Sequence, residues 1–249
     1  MHTHPNRATI LPHGSLLDFT DFDKTAELTV DFSLQPSVKD LIESRGFPHT
    51  EVFGIEIDGN PSSFQAQVSD GAVIDIYSAE TARKAHFEKL SKYPGDRPKK
   101  FVADVHLGKL ARWLRLLGID TRYSNSYSES ELIELATGGR LLLTRDIELL
   151  KHGALKFGYW IRDRNPEQQV SEVLQRIGPD VPIRPFSRCL ECNGRLEPVS
   201  LEVIREQVPP GVQEWCESYY QCDSCDKVYW PGTHYDDLVQ KVKAIMDHN

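Results

Sequence analysis

Long hydrophobic runs are missing from this sequence. No apolar stretch approaches the roughly 20 residues that a membrane-spanning helix needs, so no membrane partner is expected. The opening residues, MHTHPNRATILPHGSLLDF, lack the apolar core of a secretory leader, and a cytoplasmic setting is the default expectation. Cysteine is scarce as well, with 5 in 249 residues. Four of them fall in two CxxC pairs, and without an export signal such pairs point to a metal rather than to disulfides. The composition that remains is that of an ordinary globular chain, 39% hydrophobic and 27% charged. Its length allows more than one domain.

Acidic residues are missing where they would matter most. Residues 105–119 contain no Asp or Glu, although the net charge of the whole chain is −8. The charge falls into three blocks: −9 over residues 1–82, +7 over 83–188 and −6 over 189–249. A basic middle between acidic flanks is the part that would meet a polyanion, although charge also varies between domains by chance.

Residues 1–24 lack periodicity and read as a flexible tail. From residue 25 the pattern is strand (TAELTVDFS), helix (PSVKDLIESRG) and strand (EVFGIEIDG), with a last strand near 72–77. Pro36 and Ser37 begin the helix and Gly46 stops it. Through VKDLIESRGFPHTEVFGIEIDG, residues 25–80 resemble a ubiquitin-like β-grasp domain of the sulfur-carrier type. No Gly-Gly ends that unit; the pair occurs only at Gly138 and Gly139. Carrier-type activation is therefore not expected, and a docking role toward a protein partner is expected instead. Residues 81–98, rich in Lys and broken by Pro94, Gly95 and Pro98, read as a linker.

Residues 100–178 alternate between apolar strands (101–105, 119–123, 140–144, 158–162) and helices (106–118, 129–137, 146–152, 166–177). This alternation predicts a parallel α/β sheet, and ligands gather at the carboxyl ends of such strands. Asp104 ends the first strand and Asp146 follows the third. If the first strand sits centrally, the two carboxylates face one crevice. Such a pair suits Mg²⁺ or Mn²⁺, which can activate water for phosphodiester cleavage. Asp163 and Glu148 are the leading third acids, ahead of Glu129 and Glu131. The competing reading is that Asp104 and Asp146 only cap the helices that follow them.

The segment after Asp104 places Leu107, Leu110, Ala111, Leu114 and Leu117 on one helical face. His106, Lys109, Arg112 and Arg115 fall elsewhere. With Arg145, Lys109, Arg112 and Arg115 form a candidate phosphate-binding set, whose bland alternative is a solvated basic surface. Trp113 could stack on a base or simply pack in the core.

Cys189 and Cys192 (RCLECNGRL) and Cys222 and Cys225 (YYQCDSCDKVYWPGTHY) form two knuckles separated by 29 residues. Together they complete a tetrahedral Zn²⁺ site that leaves no open coordination position for catalysis, so the zinc is expected to be structural. Cys216 reads as a packed thiol. His234 could contact RNA or be purely structural.

The segments FVADVHLGKLARWLRLLGIDTRY, LLLTRD, PEQQ, RPFSRCLECNGRLEPV, VPP and YWPGTHY together resemble the Mut-seven C-terminal RNase domain family. That resemblance implies a PIN-like nuclease fold with a zinc ribbon. It divides the rest of the chain into a PIN-like RNase domain (99–187), a zinc ribbon (188–235) and a C-terminal helix (236–249). It also implies a metal-dependent RNase with Asp104 and Asp146 in its acidic site, and a role in holding RNA for Arg188. Two alternatives stand beside it. One is a non-catalytic module that binds structured RNA such as tRNA or ribosomal RNA. The other is an adaptor working through its ubiquitin-like unit.

Overall fold

A computed structural model describes residues 5–20, 27–84, 98–177, 181–233 and 235–247. The chain forms two compact units. The first combines Met1–Pro98 with Ile133–Trp160, the second Lys99–Leu132 with Ile161–Asn249.

The N-terminal part of the first unit is a mixed sheet with a two-turn helix packed on it. Its elements are β1 (Asn6–His13), β2 (Leu28–Phe32), α1 (Val38–Ser44), β3 (Gly54–Ile57), β4 (Asn60–Pro61), β5 (Val73–Tyr77) and a short α2 (Ala79–Lys84). The strand order is β2-β1-β5-β3-β4, with β1 and β5 parallel at the centre and the other pairs antiparallel. This is the β-grasp arrangement of a ubiquitin-like domain. Ser37 starts α1 by accepting the Asp40 N–H on its hydroxyl at 3.1 Å. Ile10, Leu16, Ile42, Phe47, Ile55, Ile74 and Ile76 are fully buried beneath it, each worth about 2 kcal/mol of burial.

The structure corrects the N-terminal boundary. Residues 6–13, expected in a loose tail, form a central strand, and Gly14–Phe19 add a 3-10 helix. Ala8 and Ile10 alternate inward with period two. Pro12, opposite Ile76 in the register, is unusual so far inside a sheet and hides the strand. Residues 85–97 of the expected linker lie outside the described residues.

The central region follows the alternation closely. It runs β6 (Phe101–Ala103), a 3-10 turn (Val105–Leu107), α3 (Gly108–Leu116), β7 (Thr121–Arg122), α4 (Glu129–Thr137), β8 (Leu141–Thr144), α5 (Ile147–Leu150), β9 (Gly158–Trp160) and α6 (Pro166–Ile177). Within the second unit β6 pairs in parallel with β7; within the first, β8 pairs in parallel with β9. All residues of β6 and β8 are buried, as parallel strands covered on both faces must be. The predicted strands were one to three residues longer than those observed, because their terminal residues already turn toward the following helix.

The first unit also joins its two sequence segments through polar contacts. In the loop before β3, His49 Nε2 donates to the Leu155 carbonyl at 2.7 Å. The Thr50 hydroxyl donates to the Leu150 carbonyl at 3.1 Å, and Glu51 accepts the Trp160 N–H at 2.7 Å. His49, Thr50 and Glu51 are buried. The ubiquitin-like sheet is therefore bonded directly to the α5–β9 segment.

In the second unit α3 packs on α6. Beyond them, β10 (Leu196–Val199), α7 (Leu201–Ile204), α8 (Pro210–Gln213), β11 (Tyr219–Cys222) and β12 (Val228–Tyr229) form a small module ahead of α9 (Tyr235–Asp247). Its three strands are antiparallel in the order β10-β11-β12. Ile204, Val208, Cys216 and Tyr219 make its core, so Cys216 is the packed thiol that the sequence suggests.

Candidate acidic and metal sites

Asp104 follows β6 directly and is 5% exposed. Its Oδ1 accepts the His106 N–H at 3.0 Å and caps the 3-10 turn. Asp146 follows β8 in the first unit and is exposed. Its Oδ1 accepts the N–H groups of Glu148 at 2.9 Å and Leu149 at 3.3 Å, capping α5, while its own N–H donates to Thr144 Oγ1. Both aspartates thus perform the capping role that competes with metal binding. In each, the capping bonds fall on Oδ1.

The candidate third acids are committed locally. Glu148 is 80% exposed at its side chain and pairs with Lys151 at 2.6 Å. Asp163, past β9, accepts the Asn165 N–H at 2.7 Å and shapes the turn into α6. Glu131 forms a capping box with Ser128 at the start of α4. An acid the sequence reading passed over, Glu172 on α6, accepts the N–H groups of Arg162 and Asp163 and lies 3.7 Å from the Arg162 guanidinium. Its position one helical turn past Gln169, facing back along α6 to the strand end, was the available signal.

The cations divide. Lys109 and Arg112 are exposed on α3, and Arg112 pairs with Glu191 at 3.3 Å. Arg115 is only 3% exposed and corrects its assignment to the phosphate-binding set. Its guanidinium donates to the carbonyls of Thr121, Leu190 and Glu191 at 2.7–3.0 Å. Burial pulls its pKa down from the ordinary value. Arg188 is similarly engaged, with the Gly118 and Asn193 carbonyls and with Asp120 at 3.4 Å. Arg145 is half-buried between β8 and Asp146. His234 lies outside the described residues.

Cys189, Cys192, Cys222 and Cys225 bring their sulfurs within 4.8 Å of one another. The Cys189–Cys225 and Cys192–Cys222 sulfur distances are 3.6 and 3.3 Å. A zinc ion with bonds of about 2.3 Å holds its sulfurs about 3.8 Å apart, so the donor set fits a metal such as zinc with small adjustment. Among the described residues, these cysteines are the one group of three or more Cys, His, Asp or Glu side chains gathered so closely.

The knuckles are built by backbone conformation. Asn193 and Asp226, each just after the second cysteine of its pair, have φ of 72° and 59°, a left-handed state that Asn and Asp tolerate better than other side chains. Past Asn193 the Gly194 N–H points at the Cys192 sulfur, and inside the second knuckle the Ser224 N–H points at the Cys222 sulfur, each at 3.4 Å. Tyr229 Oη lies 3.1 Å from Cys189 Sγ and accepts the Leu190 N–H. Burial opposes ionisation of Cys189, but the bonds from Tyr229 and from the Cys192 and Glu191 backbone outweigh it and bring this thiol down to about 7. Burial raises Cys192 and Cys225 instead; a bound cation would reverse that preference.

Asn193 also ties the first knuckle to the strand after α3. It donates to Asp120 Oδ1 and accepts the Thr121 N–H, both at 2.9 Å. Gly118, at φ 78°, lets the chain before the first knuckle pass close by, since a Cβ there would lie 2.0 Å from the Arg184 carbonyl.

A β-grasp sheet, a central parallel α/β region and a cysteine cluster compatible with a zinc ribbon define the class as a modular α/β protein with a ubiquitin-like front. Residues 99–242 match the family model described as Mut7-C RNAse domain, and residues 7–84 that described as Mut7-C ubiquitin. The chain belongs to the Mut7-C RNAse domain family. No curated protein and no solved structure matches it.

Proposed function

We propose that this protein is a metal-dependent ribonuclease of PIN-like type that hydrolyses RNA phosphodiesters. The observation that carries the reading is that Asp104 and Asp146 each stand at the carboxyl end of a parallel strand, the edge at which α/β folds assemble ligand sites. They supply hard oxygen donors for Mg²⁺ or Mn²⁺, which when bound would lower the pKa of a water and stabilise the leaving oxygen. The capping N–H groups fix the orientation of both carboxylates. Lys109 and Arg112 hold phosphates, with Arg145 beside Asp146 and His234 as a further RNA contact. Asp163 and Glu148 remain the candidate additional acids. The four cysteines hold a structural Zn²⁺. The setting proposed is the cytoplasm.

The test compares wild type with Asp104→Asn and Asp146→Asn on a labelled RNA pool, with Mg²⁺, with Mn²⁺ and without either. Asn keeps the caps, since it serves as well as Asp at that position, so folding is preserved. Cleavage should fall about a hundredfold in each variant, the loss of roughly 3 kcal/mol of charge stabilisation. Cleavage at wild-type rate in both variants would sink the mechanism.

The second reading, an RNA-binding module without catalysis, draws on the capping bonds of both aspartates. It is supported if wild type binds RNA, cleaves under no metal condition and binds equally well with either Asn. In that reading the ubiquitin-like unit docks a protein partner.

A further inference from the structure

The second unit carries a groove that extends the proposed phosphate-binding pair Lys109 and Arg112 with a wall of aromatic rings. A cavity of about 680 Å³ is lined by Phe186, Tyr220, Tyr229, Trp230 and Tyr235. At Leu116, Leu190 and Leu238 it adjoins a second cavity of about 480 Å³, whose wall carries Lys109, Arg112 and Trp113. The pair makes one surface with rings on one side and cations on the other.

The ring side is held in place at a cost. Phe186 has φ of 60°, a conformation rare for an aromatic residue and worth about 1–3 kcal/mol of strain. Two backbone bonds impose it: the Phe186 N–H donates to the Leu116 carbonyl at 2.8 Å, and the Arg184 N–H to the Leu117 carbonyl at 2.9 Å. The strained residue sets its ring 5.1 Å from that of Tyr235. On β11, alternation buries Tyr219 in the ribbon core and leaves Tyr220 38% exposed on the groove side.

We propose that this groove binds single-stranded RNA, with bases stacked on Tyr220 and its neighbouring rings and phosphates held by Lys109 and Arg112. The inference rests on the RNA reading above and adds a site to it. Stacking on aromatic rings beside a basic track is how proteins take unpaired strands of any sequence. A ring-lined groove would also suit a proline-rich peptide, but such a peptide has no use for the adjoining cations. The Arg112–Glu191 pair does not block a phosphate, because both side chains are about half exposed or more and such pairs are weak.

The experiment is fluorescence anisotropy of a labelled octameric uridylate on the zinc-loaded full chain, in buffer with neither Mg²⁺, Mn²⁺ nor chelator. Tyr220→Ala should weaken binding about tenfold, the effect of one lost stack, while Tyr220→Phe stays close to wild type. Lys109→Ala, which leaves the ribbon untouched, should reduce the slope of log affinity against log salt by about one. Zinc content identifies any variant that fails to fold, and the Lys109 arm then decides alone. Wild-type affinity in Tyr220→Ala with zinc retained, or an unchanged salt slope in Lys109→Ala, overturns the proposal. So does binding of a proline-rich peptide that depends on Tyr220 when the oligonucleotide does not. The octamer is bound without Mg²⁺ or Mn²⁺, where the cleavage mechanism cannot operate, so failure of that mechanism and failure of this groove read out separately.

Discussion

The protein contains two small β modules that are stabilised in different ways. The ubiquitin-like sheet encloses fifteen buried apolar residues between five strands and α1. The ribbon has three strands and a hydrophobic cluster of four buried residues. A core that small cannot offset the conformational entropy of its own loops. Its order depends on the sulfur cluster and on the buried Arg115 and Asn193, which bond the first knuckle to the α3–β7 segment. Core size therefore decides which module would gain most from a bound metal.

The sharpest way to break the comparison is to remove that metal. Cys222→Ser should abolish stoichiometric zinc binding and unfold the ribbon, forfeiting about 10 kcal/mol or more of metal-coupled folding energy. Hydrogen exchange should then show fast exchange across β10–β12 and continued protection of β1 and β5. Equal loss in both sheets would refute their independence.

A smaller effect is expected from the polar anchor of the first knuckle. Arg115→Met should cost about 3 kcal/mol in denaturant unfolding, because it leaves buried carbonyls without donors. Lys109→Ala, nearly two turns earlier on the exposed face, should change stability by less than about 0.5 kcal/mol. Comparable costs for the two would mean that Arg115 is less committed than its bonds imply.

The smallest effect belongs to the ubiquitin-like unit and depends on pH. Burial opposes the charge on Glu80, but the Ser78 hydroxyl and the Ser15 N–H, which donates at 2.8 Å, outweigh it and bring the carboxyl to about 2. A depressed folded-state pKa stabilises fully above the unfolded value of 4.5 and is lost as pH falls toward 2. Glu80→Gln should therefore lower the melting temperature at neutral pH, with the difference closing between about pH 4.5 and 2. A difference that persists unchanged at low pH would assign it to packing.

Much of this architecture was legible in the residues. α4 and α6 occupy Glu129–Thr137 and Pro166–Ile177, the spans that the alternation of strands and helices predicts. The CxxC spacing announced the sulfur cluster, because two knuckles have few other uses. The missed parts have physical reasons. β1 was obscured by Pro12, a residue that ordinarily argues against an interior strand. Arg115 looked like its exposed neighbour Arg112, since a run of charges does not reveal which guanidinium will be buried under backbone carbonyls from 75 residues away. Asp104 and Asp146 were legible as strand-end acids, and their capping bonds agree with the local pattern. What a carboxylate does beyond its cap depends on the groups around it in space, which local pattern does not encode.

The loop at His49, Thr50 and Glu51 has a bearing on how this molecule can be taken apart. Family boundaries near residues 84 and 99 invite a cut between the two matched segments. Such a cut would strip the Trp160 N–H of its carboxylate and the carbonyls of Leu150 and Leu155 of their donors. An excised C-terminal fragment would carry an open wound on the α5–β9 segment. What looks like a gene fusion of two separable parts behaves, at the level of hydrogen bonds, as one inherited object.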